Sequence, residues 1–203
     1  MKIICIGRNY VKHALELNNE IPGEPIFFLK PDTALLPKGQ AFYIPGFSCD
    51  IHHEIEIVLQ ICKEGKNISE EFASRYYNAI TVGIDFTARD IQQKQKEKGL
   101  PWEPAKAFDH SAPLGSIVSL DDLKNRHKIL FHLDINGKTV QKGDSTLMIN
   151  SFQKIISYVS KFITLRKGDL IFTGTPEGVG PVKPGDVLEC YLEDVCLLKV
   201  LVK

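Results

Sequence analysis

Charge of neither sign is in surplus. Lys plus Arg number 25 and Asp plus Glu number 25, for a net charge of zero over 203 residues. Nothing here would draw nucleic acid or an anionic membrane as partner. Cysteine is scarce and irregular. Cys5, Cys49, Cys62, Cys190 and Cys196 are odd in number and show no Cys-x-x-Cys spacing, which argues against both a disulfide framework and a zinc site. A reducing compartment is expected. No apolar run approaches the roughly 20 residues needed to span a bilayer. The opening Lys2-Ile3-Ile4-Cys5-Ile6-Gly7 is too short for a signal-peptide core, and no small-residue cleavage site follows. A cytoplasmic protein is therefore expected. Internal repeats and low-complexity segments are missing. So is regular alternation of strand and helix, which argues against a doubly wound sheet.

What is present suits one domain over residues 1–203. The 43% hydrophobic and 25% charged fractions are ordinary globular values. The stretch that organises the chain is His52-His53-Glu54-Ile55-Glu56-Ile57-Val58-Leu59-Gln60-Ile61. It alternates with period two, which predicts a strand over about 53–61. Ile55, Ile57, Leu59 and Ile61 fall on one face, and Glu54, Glu56 and Gln60 on the other. The two glutamates then project the same way, with Cα atoms roughly 6.5–7 Å apart. Two carboxylates that close on a half-buried strand stay ionised comfortably only with a cation between them. Taken alone, the pair reads equally well as two surface glutamates on a wet strand face.

Elsewhere, strands are expected at residues 2–6, 26–29, 41–44, 79–86, 128–135, 138–141, 187–192 and 196–202. Asn136-Gly137 is a type I′ hairpin signal. Short helices are expected over 10–17 and about 88–98, with Ser69 placed to cap another that runs to Tyr77. Ser151 to Phe162 is the clearest helix, with Phe152, Ile155, Ile156, Val159 and Phe162 as one apolar stripe. Asn18-Asn19-Glu20-Ile21-Pro22-Gly23-Glu24-Pro25 is a breaker-rich loop, so residues 10–25 suit a lid. On that first helix His13 and Glu16 share a face. A carboxylate beside an imidazole raises its basicity, as water activation requires. A local surface pair is the commoner outcome. Asp85 stands at a strand end that opens into Arg89 and Gln92. Lys106, among Ala105, Ala107 and Phe108, is either a surface lysine or a desolvated one. The loop Thr173-Gly174-Thr175-Pro176-Glu177-Gly178-Val179-Gly180 offers amides and hydroxyls to a carboxylate. It lacks the Lys-Ser/Thr of a phosphate loop. Strands outnumber helices, so the fold class is α+β and β-rich.

These motifs also stand in a familiar order. Gly7-Arg8-Asn9-Tyr10 with His13 and Glu16, Phe28-Leu29-Lys30-Pro31, His53-Glu54-Ile55-Glu56, Asp85-Phe86-Thr87-Ala88-Arg89-Asp90 and the late glycine loop together resemble the fumarylacetoacetate hydrolase family. They cover nearly the whole chain and match the short, single-domain branch of acylpyruvases and oxaloacetate decarboxylases. The resemblance implies a β-roll with layered mixed sheets, usually a homodimer. It implies Mg²⁺ or Mn²⁺ on Glu54, Glu56 and Asp85. It implies Lys106 as active-site lysine, and Arg8, Arg89, Gln92 and Thr175 as substrate contacts. His13 and Glu16 match a water-activating pair on a mobile lid. The implied substrate is a small 2-oxo acid. It is either cleaved between C3 and C4, by hydrolysis or decarboxylation, or tautomerised at the same site. A non-catalytic metal-binding domain is the alternative from another class.

Overall fold

The structure is a computed structural model that describes residues 1–17 and 20–203. The first two residues of the expected breaker-rich loop, Asn18 and Asn19, lie outside the described residues. In chain order the elements are β1 (Ile3–Gly7), α1 (Val11–Glu16), β2 (Ile26–Lys30), β3 (Ile51–His53), β4 (Ile55–Ile61), β5 (Tyr77–Ile84) and β6 (Thr87–Ala88). Then follow α2 (Arg89–Lys98), α3 (Glu103–Lys106), β7 (Val118–Ser119), β8 (Leu130–Ile135), β9 (Lys138–Asp144) and α4 (Phe152–Phe162). The chain ends with β10 (Leu170–Phe172), β11 (Gly180–Pro181), β12 (Val187–Leu192) and β13 (Val195–Leu201). The β-rich α+β expectation holds.

Among the described residues the strands form three sheets, ordered β2-β1-β10-β4-β5-β7, β11-β3-β6 and β13-β12-β8-β9. Most pairings are antiparallel, as turn-linked strands favour. The exception among the ladders is β1 with β10, which run parallel. Their partnership joins the chain's start to its late glycine loop.

The expected strand over 53–61 is two strands. It breaks at Glu54, so that β3 pairs with β6 and β11 while β4 pairs with β5 and β10. The break lets Glu54 leave the pleat at the junction of two sheets. Nor is the glutamate face wet. Every residue of β4 except Gln60 is buried, because a strand in mid-sheet here is covered on both faces. Three further expectations differ. Residues 41–44 form no ladder; Phe42 makes a single bridge to Val202. Glu70–Tyr76 is 3₁₀, and Ser69 makes no side-chain cap. Phe162 closes the α4 stripe at 57% exposure, held instead among Phe27 and Tyr158. The Asn136-Gly137 turn is as expected, with φ of 53° and 76°, both positive as a type I′ turn needs.

The core runs between the six-stranded sheet and the four-stranded one, with Ile57, Ile80, Phe131, Leu133 and Leu188 in one buried cluster. Gly83 sits opposite Glu56 in the β4–β5 ladder. A Cβ there would lie 2.6 Å from the Phe172 ring and 3.0 Å from the Pro113 carbonyl. Gly83→Ala should therefore destabilise by about 1–3 kcal/mol through overpacking. In a domain of this size that lowers Tm by roughly 2–4 °C per kcal/mol. Calorimetric unfolding measures it, and an unchanged Tm would mean that the aromatic ring yields without cost.

Candidate active site

The break at Glu54, the end of β5 and the start of α2 meet at one point. The Asp85 amide donates to the Glu54 carbonyl at 2.8 Å, which clamps the two carboxylate-bearing segments together. Glu56 arrives from β4. Ligand oxygens of Glu54, Glu56 and Asp85 all lie within 4.8 Å of one another. The three residues are 4%, 2% and 1% exposed.

Buried carboxylates need compensating charge. Lys106 supplies most of it. Its Nζ donates to Glu54 Oε2 at 2.8 Å, Asp85 Oδ2 at 2.7 Å and Thr87 Oγ1 at 2.6 Å. Arg89 Nη2 donates to Glu54 Oε1 at 2.5 Å and Nη1 to Gln92 Oε1 at 2.6 Å. Lys30, which the sequence offers only as a member of the Phe28-Leu29-Lys30-Pro31 motif, is the third cation. Its Nζ stands 2.8 Å from Asp85 Oδ1, an ion pair without hydrogen-bond alignment. It donates instead to the Ser111 hydroxyl at 2.8 Å and the Ser111 carbonyl at 3.0 Å.

The three carboxylates are not equivalent. For Glu54, burial pushes the pKa up, but Lys106 and Arg89 outweigh it and hold the group well below the usual carboxylate range. Glu56 has no lysine or arginine at ion-pair distance among the described residues. Its Oε2 accepts the Gly174 amide at 2.6 Å. Burial, then Asp85 and Glu54, push its pKa well up. Lys106 stays charged: burial alone would lower its pKa, and Asp85 with Glu54 raise it. A buried oxygen cluster whose third carboxylate is short of positive charge fits a hard divalent ion such as Mg²⁺ or Mn²⁺. Glu54, Glu56 and Asp85 are the residues that would hold it.

The remaining expected residues surround the same cleft, which has a volume of about 400 Å³ including its opening to solvent. Arg8, His13, Arg89, Gln92, Lys106 and Thr175 all line it. Arg8 takes a left-handed φ of 57°, and Arg89 Nε is buried with no partner. Of the expected residues, only Glu16 is not part of the wall. It approaches His13 Nδ1 to 3.5 Å without a hydrogen bond, and that nitrogen is buried and unpartnered. The Glu16 carboxylate accepts the Gly178 amide at 3.1 and 3.2 Å instead, tying α1 to the glycine loop. Burial is the main cause that lowers the His13 pKa, so the imidazole is neutral at pH 7.

Two supporting residues escaped the sequence reading. Asn9 is fully buried and donates to the carbonyls of Asn150 and Thr173 at 3.1 and 2.8 Å. Gly174, with φ of +102°, packs so close that its Cβ would sit 2.6 Å from Asn9 Cβ. Gln141 accepts the Ile55 amide at 3.1 Å through Oε1. That fixes Nε2 as donor to Thr175 Oγ1 at 3.0 Å and to the Pro176 carbonyl at 3.1 Å. Thr175 accepts from Gln141, and its own hydroxyl donates to the Pro176 carbonyl at 3.5 Å, a long bond that an anion in the cleft could replace. Asn9 stands in the Gly7-Arg8-Asn9-Tyr10 motif without a role of its own, and Gln141 carries no sequence signal beyond being polar near an apolar strand.

Glu56 gives a prediction whose sign follows from linkage. Its folded pKa lies above the unfolded value, so it costs stability as pH rises through the folded pKa. Glu56→Gln should raise the Tm of metal-free protein by a few degrees at neutral pH, at roughly 2–4 °C per kcal/mol. It should also abolish the Tm increase on adding Mn²⁺. A lower Tm with the Mn²⁺ response intact would contradict the assignment.

Comparison with known proteins agrees with this geometry. Residues 2–203 match the fumarylacetoacetate (FAA) hydrolase C-terminal family. The chain is 42% identical over 201 residues to a mitochondrial oxaloacetate tautomerase of Mus musculus, covering 99% of this chain and 91% of that protein. It is 44% identical over 190 residues to a mitochondrial oxaloacetate decarboxylase of Dictyostelium discoideum, covering 93% and 87%. Among solved structures, fumarylpyruvate hydrolase from Pseudomonas aeruginosa, in complex with Mn²⁺ and pyruvate, superposes with a TM-score of 0.93. It is 37% identical, over 100% of this chain and 89% of that one. The two curated relatives are mitochondrial proteins, which does not match the cytoplasmic expectation. No helix of the described residues is long and apolar enough to cross a membrane. The chain belongs to the fumarylacetoacetate hydrolase family.

Proposed function

We propose that this chain is a divalent-metal-dependent enzyme that forms and protonates the enolate of a 2-oxo acid. Oxaloacetate enol–keto conversion is the leading activity, with decarboxylation at the same site. The observation that carries this is one cleft lined both by the buried His13, whose Nδ1 has no partner, and by the buried carboxylates Glu54, Glu56 and Asp85. A divalent ion on Glu54, Glu56 and Asp85, Mg²⁺ or Mn²⁺, supplies Lewis acidity to the 2-oxo group when bound.

The chain's own residues supply the rest. Thr175 donates its hydroxyl proton to the substrate carboxylate. Lys106 and Arg89 place fixed positive charge where enolate charge develops. His13 carries a proton at C3. In tautomerisation one proton leaves the 2-hydroxyl and one arrives at C3. In decarboxylation the C3–C4 bond breaks, CO₂ leaves, and the electron pair forms the enolate that C3 protonation then quenches. The names of the oxaloacetate-acting relatives support this reading.

Hydrolysis of an acylpyruvate is the second reading. The 3.5 Å approach of Glu16 to His13 favours it, since a small rotation of either side chain would complete a water-activating pair. Water adds to the C4 carbonyl as His13 takes its proton, and the C3–C4 bond then breaks. The likeness to a fumarylpyruvate hydrolase points the same way. On either reading α1 acts as the lid that governs water entry.

The reactions differ in what they ask of His13. His13→Ala should slow enol–keto conversion and acylpyruvate hydrolysis by on the order of 10²–10⁴-fold. Decarboxylation needs no base to break the C3–C4 bond, and solvent can protonate C3 of the pyruvate enolate afterwards, so its loss should be much smaller. All three rates are measured on one Mn²⁺-loaded preparation. An equal loss in all three would show that His13 serves closure alone and that the proton-transfer role is wrong.

A further inference from the structure

Gln141 belongs to β9, a strand of the four-stranded sheet, and is 1% exposed. Its side chain leaves that sheet and ends between the carboxylate-bearing strand and the glycine loop. Two backbone groups fix which way round its amide lies. The Ile55 N–H, between Glu54 and Glu56, can only donate, and it meets Oε1 at 3.1 Å. The Pro176 carbonyl can only accept, and it meets Nε2 at 3.1 Å. The other two bonds then follow without choice. His53 Nδ1, 2.8 Å from Oε1, must carry a proton and donate it. Thr175 Oγ1, 3.0 Å from Nε2, must accept. Gly178 closes over this side chain. A Cβ there would lie 3.4 Å from Gln141 Cγ and 2.5 Å from the Val140 carbonyl.

The consequence falls on Thr175, which lines the cleft together with Glu54, Glu56 and Asp85. Its oxygen already takes the proton of Gln141, so its own proton must point elsewhere. Among the described residues that proton has one acceptor, the Pro176 carbonyl at 3.5 Å. This distance is the outer limit of hydrogen bonding, and the same carbonyl holds the shorter bond from Gln141. A carboxylate oxygen in the cleft is the stronger acceptor, because a bond to an ionised group is roughly twice as strong as a neutral one.

We propose that Gln141, with its amide held by His53, is a positioning residue that sets the polarity of the Thr175 hydroxyl. His53 donates to Gln141, Gln141 donates to Thr175, and Thr175 donates to the substrate carboxylate. Bonds that run one way along such a chain polarise one another. The proposal rests on the 2-oxo acid reading above. It assigns to two residues outside the cleft wall the task of presenting a donor, and not an acceptor, to the anion.

A double-mutant cycle tests it. Pyruvate affinity is measured by calorimetry on Mn²⁺-loaded protein. Gln141→Glu keeps an acceptor for Ile55 and His53 but replaces the donor facing Thr175 with a second acceptor, so the hydroxyl turns to the new carboxylate. Pyruvate should bind about 10- to 100-fold more weakly, as loss of a bond to a charged group requires. Gln141→Met, which adds no charge, should weaken it about three- to tenfold. In Thr175→Val protein neither change should cost more than about threefold further. A merely structural role would act through Ile55 on its neighbouring glutamates, so the Tm increase on adding Mn²⁺ should persist in Gln141→Glu. Equal losses with and without the Thr175 hydroxyl, no loss in either variant, a lost Mn²⁺ response, or no pyruvate binding by the wild-type protein would overturn the assignment. Full coupling in a protein that turns over no 2-oxo acid would refute the proposed function and leave the positioning role standing.

Discussion

The ammonium of Lys106 between Glu54 and Asp85 is the contact on which the site depends. Two adjacent buried carboxylates repel each other, and each loses several kcal/mol of hydration on burial. At 2.7 and 2.8 Å from their oxygens, Lys106 offsets both. Arg89 pairs with the other oxygen of Glu54, and Lys30 with the other oxygen of Asp85. Glu56 is left with a backbone amide and no cation, and that asymmetry makes a preformed place for one more positive charge. The same ammonium then stands beside any enolate formed in the cleft. One electrostatic arrangement thus serves the resting fold and the chemistry.

The backbone exists to deliver these charges. Breaking one long strand at Glu54 places that residue where two sheets meet, and the β4–β5 ladder brings Asp85 back to it within one hydrogen bond. The parallel pairing of β1 with β10 brings the start of α1 against the glycine loop. Asn9 and Gly174 interlock there, and Glu16 fastens α1 to Gly178. Helix α1 and the glycine loop are therefore mechanically joined, and Gln141 ties Thr175 of that loop to β4.

Much of this was legible in the residues. Period-two spacing identified the glutamate pair, and a polar strand end identified Asp85. The family resemblance supplied Lys106, Arg89, Gln92 and Thr175. The break at Glu54 was hidden, because alternation continues through it unbroken. Burial of the glutamate face was hidden too, since alternating polar residues ordinarily mark a solvated side and here mark an ionic interior. Lys30 and Gln141 show the deeper limit. Each matters through partners more than 50 residues away, and single-sequence patterns report only local neighbours.

Metal removal probes the charge arrangement most directly. Oxaloacetate turnover, followed as enol–keto conversion and as pyruvate release, is measured on chelator-treated protein. It is measured again after Mg²⁺ or Mn²⁺ is returned, against a protein-free control holding the same ion. Both activities should fall to the control level on chelation and return with either ion. Full turnover by the metal-free protein would contradict the assignment of Glu54, Glu56 and Asp85 as the ligands on which catalysis rests.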